Sequence, residues 1–168
     1  MAALSFTDGY YQSSSNPSMN MACTNWYPKF VNLGDKLLPR LFGTPGLSQL
    51  ATTGGGSEAN RGAETVNGIP YFINGTTLYR LNSDFSTTSI GTVSGSGQVS
   101  MAHNGIQLMV LVPGGDGYIY NTSTAAFGPI TDSDFTANGI PQYAIFIDGY
   151  FMVSTDSKKF IVSALNDG

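Results

Sequence analysis

Residues 94–123 read SGSGQVSMAHNGIQLMVLVPGGDGYIYNTS. Small residues lead into a short mixed segment that ends at Asn104-Gly105. The apolar run IQLMVLV follows, then the break PGGDG, then YIYNT. Runs of β-branched and aromatic residues punctuated by Asn, Gly and Pro are the pattern of short strands joined by tight turns. Asn-Gly tolerates the positive φ angles of a type I′ turn, so the stretch reads as three successive strands of one antiparallel sheet. It also holds the chain's single histidine, His103, whose role is tied to the fold.

The same arrangement occurs on either side. Asn67-Gly68 in TVNGIPYFI and Asp148-Gly149 in IFIDGYFMV also sit between apolar segments. Gly68, Gly105 and Gly149 stand 37 and 44 residues apart, the period of a β-propeller blade. Each turn is followed by a strand, a break and another strand. Thr87–Val93 and Phe127–Thr131 supply a fourth strand to the first two units. The expected fold is all-β, with propeller blades of four antiparallel strands, at 61–97, 98–140 and 141–168. The third unit stops after its third strand, which points to a partial propeller continuing in a longer chain. Residues 1–20 read as an N-terminal arm. Residues 21–60 read as strands, in NWYPKFV and LPRLFGTPGLSQLAT, followed by a Gly-rich loop. Aligned on the turns, His103 matches Val66 and Ile147 and shares a face with Val99 and Met101. Ser100 matches Ala63 and Ala144, as though innermost strands admit only small side chains.

Composition narrows the function. The chain has 168 residues, 41% apolar but only 11% charged, with a net charge of −4. Such a chain has a core, and it lacks the basic footprint of a nucleic-acid binder. One cysteine, Cys23, supports neither a disulfide framework nor a cysteine zinc site. No basic segment followed by an apolar run opens the chain, and no apolar run reaches the ~18 residues of a membrane helix. Asn74 and Asn121 begin N-x-T/S triplets, read as turn residues rather than glycosylation acceptors.

The order NWYPKF (25–30), FGTPGL (42–47), RGAETVNGIPYFINGTTLYRL (61–81), GSGQVSMAHNG (95–105), DGYIYNTST (116–124), FIDGYFMVS (146–154) and FIVSALNDG (160–168) resembles the packaged-DNA stabilisation protein family. These are the tail accessory factors, or tail hubs, of short-tailed bacteriophages. The resemblance spans roughly residues 22–168. It departs at Gln98, where the family commonly has Arg. It implies a structural virion protein of the phage tail, made in the host cytoplasm. Such a protein assembles as a homo-oligomeric ring, a hexamer, below the portal protein or its adaptor. It closes the DNA channel, retains packaged DNA without sequence-specific binding, and receives the tail needle and tailspikes. It implies no catalytic residue, cofactor or membrane partner.

The residues themselves offer few rivals. A Ser-His hydrolase would need His103 as base, yet no G-x-S-x-G elbow is present. A metal at His103 would have only oxygen co-ligands, which suit Ca²⁺ or Mg²⁺. GGGSEA (54–59) matches G-x-G-x-x-A but lacks the following helix, so it reads as a loop, and the whole stretch TTGGGSEANRG (52–62) reads as loop or arm. Asp132 and Asp134 form the closest carboxylate pair and suit a rim turn better than a glycosidase centre. A glycan-binding or glycan-cleaving propeller is the alternative function. Trp26, Tyr27 and Phe30 stand outside the clear repeats. They either staple a strand into a blade or form a subunit interface.

Overall fold

The computed structural model describes residues 25–34, 36–54 and 58–168. The expected arm at 1–20 lies outside them. The chain divides into two units, Met1–Ser48 and Gln49–Gly168.

In the first unit, β1 (Trp26–Leu33) and β2 (Lys36–Gly43) form an antiparallel hairpin with Trp26 opposite Gly43 and Leu33 opposite Lys36. Thr44 closes it, its N–H donating to Asn25 O at 2.9 Å. The second expected strand ends at Gly43. Residues 44–53, with Pro45 and Gly46, carry no strand, because proline offers no N–H to a ladder.

The second unit holds three antiparallel sheets. The first runs β3 (Asn60–Val66), β4 (Ile69–Asn74), β5 (Thr77–Leu81) and β6 (Thr87–Thr92). The second runs β7 (Ser100–His103), β8 (Gln107–Leu111), β9 (Gly117–Asn121) and β10 (Phe127–Pro129). The third has β11 (Pro141–Ile147), β12 (Tyr150–Thr155) and β13 (Phe160–Val162). Each sheet is a simple meander, so contacts within it are local in sequence, and β7 packs against both β3 and β11. One turn of helix, α1 (Ser133–Ala137), precedes β11. It was not expected, and it exists because Asp132 caps it and Phe135 anchors it at 6% exposure. β3 also begins at Asn60, so Asn60, Arg61 and Gly62 are strand rather than loop.

The middle sheet is buried on both faces. Along β8 and its continuation, Leu108, Val110 and Val112 join Val66, Tyr71, Ile73, Leu78 and Val93 of the first sheet. The intervening Met109 and Leu111 join Ala144, Phe151 and Val153 of the third sheet. Strand side chains alternate between faces, so LMVLV is apolar throughout because each face meets a different sheet. The third sheet is one-sided. Ala144 and Phe146 face the second sheet, whereas Tyr143, Ile145 and Ile147 are 65%, 56% and 49% exposed.

Two of the three turns are as expected. Asn67 and Gly68 both have positive φ, as do Asp148 and Gly149, and they close the pairs Val66–Ile69 and Ile147–Tyr150. The third differs. Gly105 alone has positive φ, and Asn104 N–H donates to Gln107 O at 3.1 Å. The two central residues are therefore Gly105-Ile106, the type II′ pattern with Gly first. Asn104 holds the turn from outside, its Oδ1 accepting from the N–H groups of Ile106 and Gln107.

That one-residue slip corrects the expected alignment, since it moves every side chain to the opposite face. Met101, not Ser100, is the counterpart of Ala63 and Ala144. His103 matches Thr65 and Phe146 rather than Val66 and Ile147. The shared face of His103, Met101 and Val99 stands, with Val99 and Met101 packed on the first core. Ser100 instead faces the third sheet, its Oγ accepting from Ala144 N–H at 3.0 Å. The crowded point between inner strands is Gly62, where a Cβ would stand 2.6 Å from Val99 Cγ2.

Leu108→Ala and Leu111→Ala remove fully buried side chains from opposite faces of one strand. Each is expected to lower unfolding free energy by about 2–5 kcal/mol, read from urea denaturation. A surface-like effect of either would contradict two-sided burial.

Candidate functional site

His103 is the last residue of β7, beside the turn. It is half-buried, and its Nδ1 accepts from Gly105 N–H at 3.1 Å, bracing the II′ turn. With Nδ1 so occupied, the ring supports the backbone beside it. Among the described residues no three His, Cys, Asp or Glu side chains group to hold a metal.

Asp132 and Asp134 are both exposed. Asp132 Oδ1 accepts from Asp134 N–H at 2.7 Å as the cap of α1. The pair is thereby divided into a capping residue and a first-turn residue. They border a cavity of about 250 Å³ whose other walls include Met109, Phe135, Phe151 and Val153. Asn121, at the end of β9, holds a turn, its Oδ1 accepting from Ser123 and Thr124 N–H, whereas Asn74 ends β4 and is buried.

Trp26, Tyr27 and Phe30 are 55%, 44% and 65% exposed. Alternation sets Trp26 and Phe30 on one face of the hairpin and Tyr27 on the other, where Tyr27 stacks on Phe42 at 6.0 Å. The structure thus splits the trio into an exposed aromatic pair and a cross-strand stack.

The most committed polar side chain is one that the sequence reading passed over as loop. Arg61 is 3% exposed. Its Nε donates to Gly97 O (2.7 Å), Nη1 to Gly75 O (3.0 Å) and Val93 O (3.3 Å), and Nη2 to Ser94 O (2.6 Å). The planar guanidinium suits four convergent carbonyls, which a lysine ammonium cannot span. Burial lowers its pKa from the ordinary value, yet arginine stays charged in proteins. Arg61 therefore clamps the Gly75 turn to the segment linking the first sheet to the second. A single Arg beside a Gly-rich stretch was the available signal.

A second cavity, of about 890 Å³, lies along β3 and β4, with Glu58, Asn60, Ala63, Phe72, Asn74 and Gln98 among its walls. Its lining is mixed polar and aromatic.

Arg61→Met keeps the stem but strips four carbonyls of their donor. It is expected to cost about 3 kcal/mol or more, with Arg61→Lys restoring only part. His103→Ala, losing one hydrogen bond, is expected to cost about 1 kcal/mol. Thermal unfolding of the three variants checks this order.

No curated protein matches the chain. A family model described as phage stabilisation, "Bacteriophage P22 Gp10, beta-propeller", matches residues 40–168 and so covers all three stacked sheets. With its propeller-like meanders packed face to face, the chain belongs to this family of phage structural proteins.

Proposed function

We propose that the protein is a tail hub that attaches below the portal and retains packaged DNA. The observation that carries this reading is the family match over 40–168, which spans the whole stack of sheets. Two further features support it. The middle sheet is packed from both sides, which gives the rigidity a channel-closing part requires. The net charge of −4 supplies little of the phosphate-binding term that would make DNA adhere. The role is mechanical, not enzymatic.

The proposed partners are further copies in a ring, a hexamer by resemblance, with the portal protein or its adaptor, the tail needle and the tailspikes. The virion tail is the proposed location. The exposed pair Trp26 and Phe30, with Tyr27 behind them, is the proposed subunit contact. Aromatic anchors of this type dominate interface energetics. The third sheet's outward residues, Tyr143, Ile145, Ile147 and Phe160, are the proposed seat of a further blade. They repeat the alternation by which the first two sheets are stacked. In this reading the blades 61–97, 98–140 and 141–168 are part of a larger propeller.

Particles assembled without this protein are expected to package DNA and then lose it; stable retention would overturn the proposal. Trp26→Ala and Phe30→Ala are expected to leave the monomer's melting temperature within a few degrees of wild type while ring assembly fails in sedimentation. Unfolding of the monomer would instead assign both residues to packing.

A further inference from the structure

Four Asn-Gly pairs stand in the chain, at Asn67, Asn74, Asn104 and Asn138. An asparagine before glycine can react with its own backbone. The glycine nitrogen attacks the asparagine Cγ and ammonia leaves, since glycine has no side chain to crowd the attack. The structure treats the four pairs differently. Asn74 is buried, and the Gly75 N–H donates to Ala59 O at 2.9 Å. Asn67 Nδ2 donates to Gly105 O, and Asn138 Oδ1 accepts from the Lys159 ammonium. At neither of these does the following N–H meet a side-chain base among the described residues.

At Asn104 the reacting groups are assembled. Gly105 N–H donates to His103 Nδ1 at 3.1 Å, so a neutral imidazole already touches the proton that must leave. The carbonyl under attack is held as well. Asn104 Oδ1 accepts from Ile106 N–H at 2.9 Å and from Gln107 N–H at 2.6 Å. Two donors therefore sit where negative charge develops on Oδ1 as Cγ becomes tetrahedral. The leaving nitrogen, Asn104 Nδ2, is held by Gln107 Oε1 and Asn166 O, each at 3.1 Å. Asn104 and Gly105 are half-buried, and the adjoining Ile106 is 54% exposed, so solvent water borders the turn.

We propose that His103, Asn104 and Gly105 form a self-modification site, at which His103 as base converts Asn104 to a succinimide and, through it, to aspartate and isoaspartate. His103 Nδ1 takes the Gly105 N–H proton. The Gly105 nitrogen bonds to Asn104 Cγ, and the carbonyl electron pair moves onto Oδ1. As that pair returns, the Cγ–Nδ2 bond breaks, and Nδ2 takes the proton from His103 and departs as ammonia. One solvent water then opens the ring at either carbonyl and leaves a carboxylate at residue 104. A carboxylate has no proton to donate, so the bonds to Asn166 O and Gln107 Oε1 are lost. In the isoaspartate form the turn backbone is also longer by a methylene. The joint between this turn and the backbone at Asn166 is thereby loosened once, without return. The site is independent of the assembly role.

The test follows the whole folded chain at neutral pH by peptide mapping, with mass spectrometry and isoaspartate detection. Asn104 is expected to convert at least about fivefold faster than Asn67 or Asn138, and the rates are expected to converge in urea. His103→Ala and His103→Gln are each expected to lower the ratio of Asn104 to Asn138 conversion at least about tenfold. Glutamine keeps an acceptor for the Gly105 N–H but takes no proton, so it separates a base from a brace. Asn138 in the same molecule reports any general loosening of the variant. Three results would overturn the proposal. The first is Asn104 staying intact or converting no faster than Asn67 and Asn138. The second is an undiminished or raised ratio in either His103 variant, the mark of a hydrogen bond that protects the nitrogen. The third is cleavage of the chain after Asn104 in place of ammonia loss.

Discussion

Everything in the second unit depends on the middle sheet having no solvent face. Leu108, Val110 and Val112 pack on one neighbour, and Met109 and Leu111 pack on the other. An isolated four-stranded meander of this length would leave half of those side chains in water. Each sheet thus lends its neighbour the apolar surface that makes both stable. This mutual dependence is the physics of a propeller: the repeat unit cannot bury its own faces, and stacking is what makes the fold.

The connection between first and second sheets shows how such stacking is held in place. β3 and β7 approach so closely at Gly62 that any side chain would meet Val99. Immediately beside that contact, the Arg61 guanidinium gathers carbonyls from the Gly75 turn and from Val93, Ser94 and Gly97. A buried charge is tolerable only when its donors are satisfied, and four backbone acceptors do so without a carboxylate. On the other side, Ser100 bonds the Ala144 backbone across to the third sheet. The joints are small residues and single polar clamps, and the energy lies in the apolar faces between them.

His103 and Asp132 stand where chemistry could be imagined, and each holds backbone. His103 braces a turn, and Asp132 caps α1. The buried polar group that most ties the sheets together, Arg61, carried no motif, because its four carbonyl partners come together only in the folded chain. Asn74 had been read as an ordinary turn residue. The trio at Trp26, Tyr27 and Phe30 was visible as a composition anomaly, but its division between two hairpin faces follows from β1–β2 pairing.

The sequence by itself determined the class of fold, the strand count and the repeat length, because turn chemistry and strand patterning are local and act within a few residues. Asn67-Gly68 and Asp148-Gly149 show this directly: the residues that tolerate positive φ are the turn. At Asn104-Gly105-Ile106 two turns were locally admissible, one residue apart. Only the tertiary structure decided between them, because the choice sets which alternate side chains enter which core. The slip to Gly105-Ile106 sends Val99 and Met101 toward the first sheet and Ala102 toward the third. That selection is made by the two faces together, and no local preference at the turn contains it.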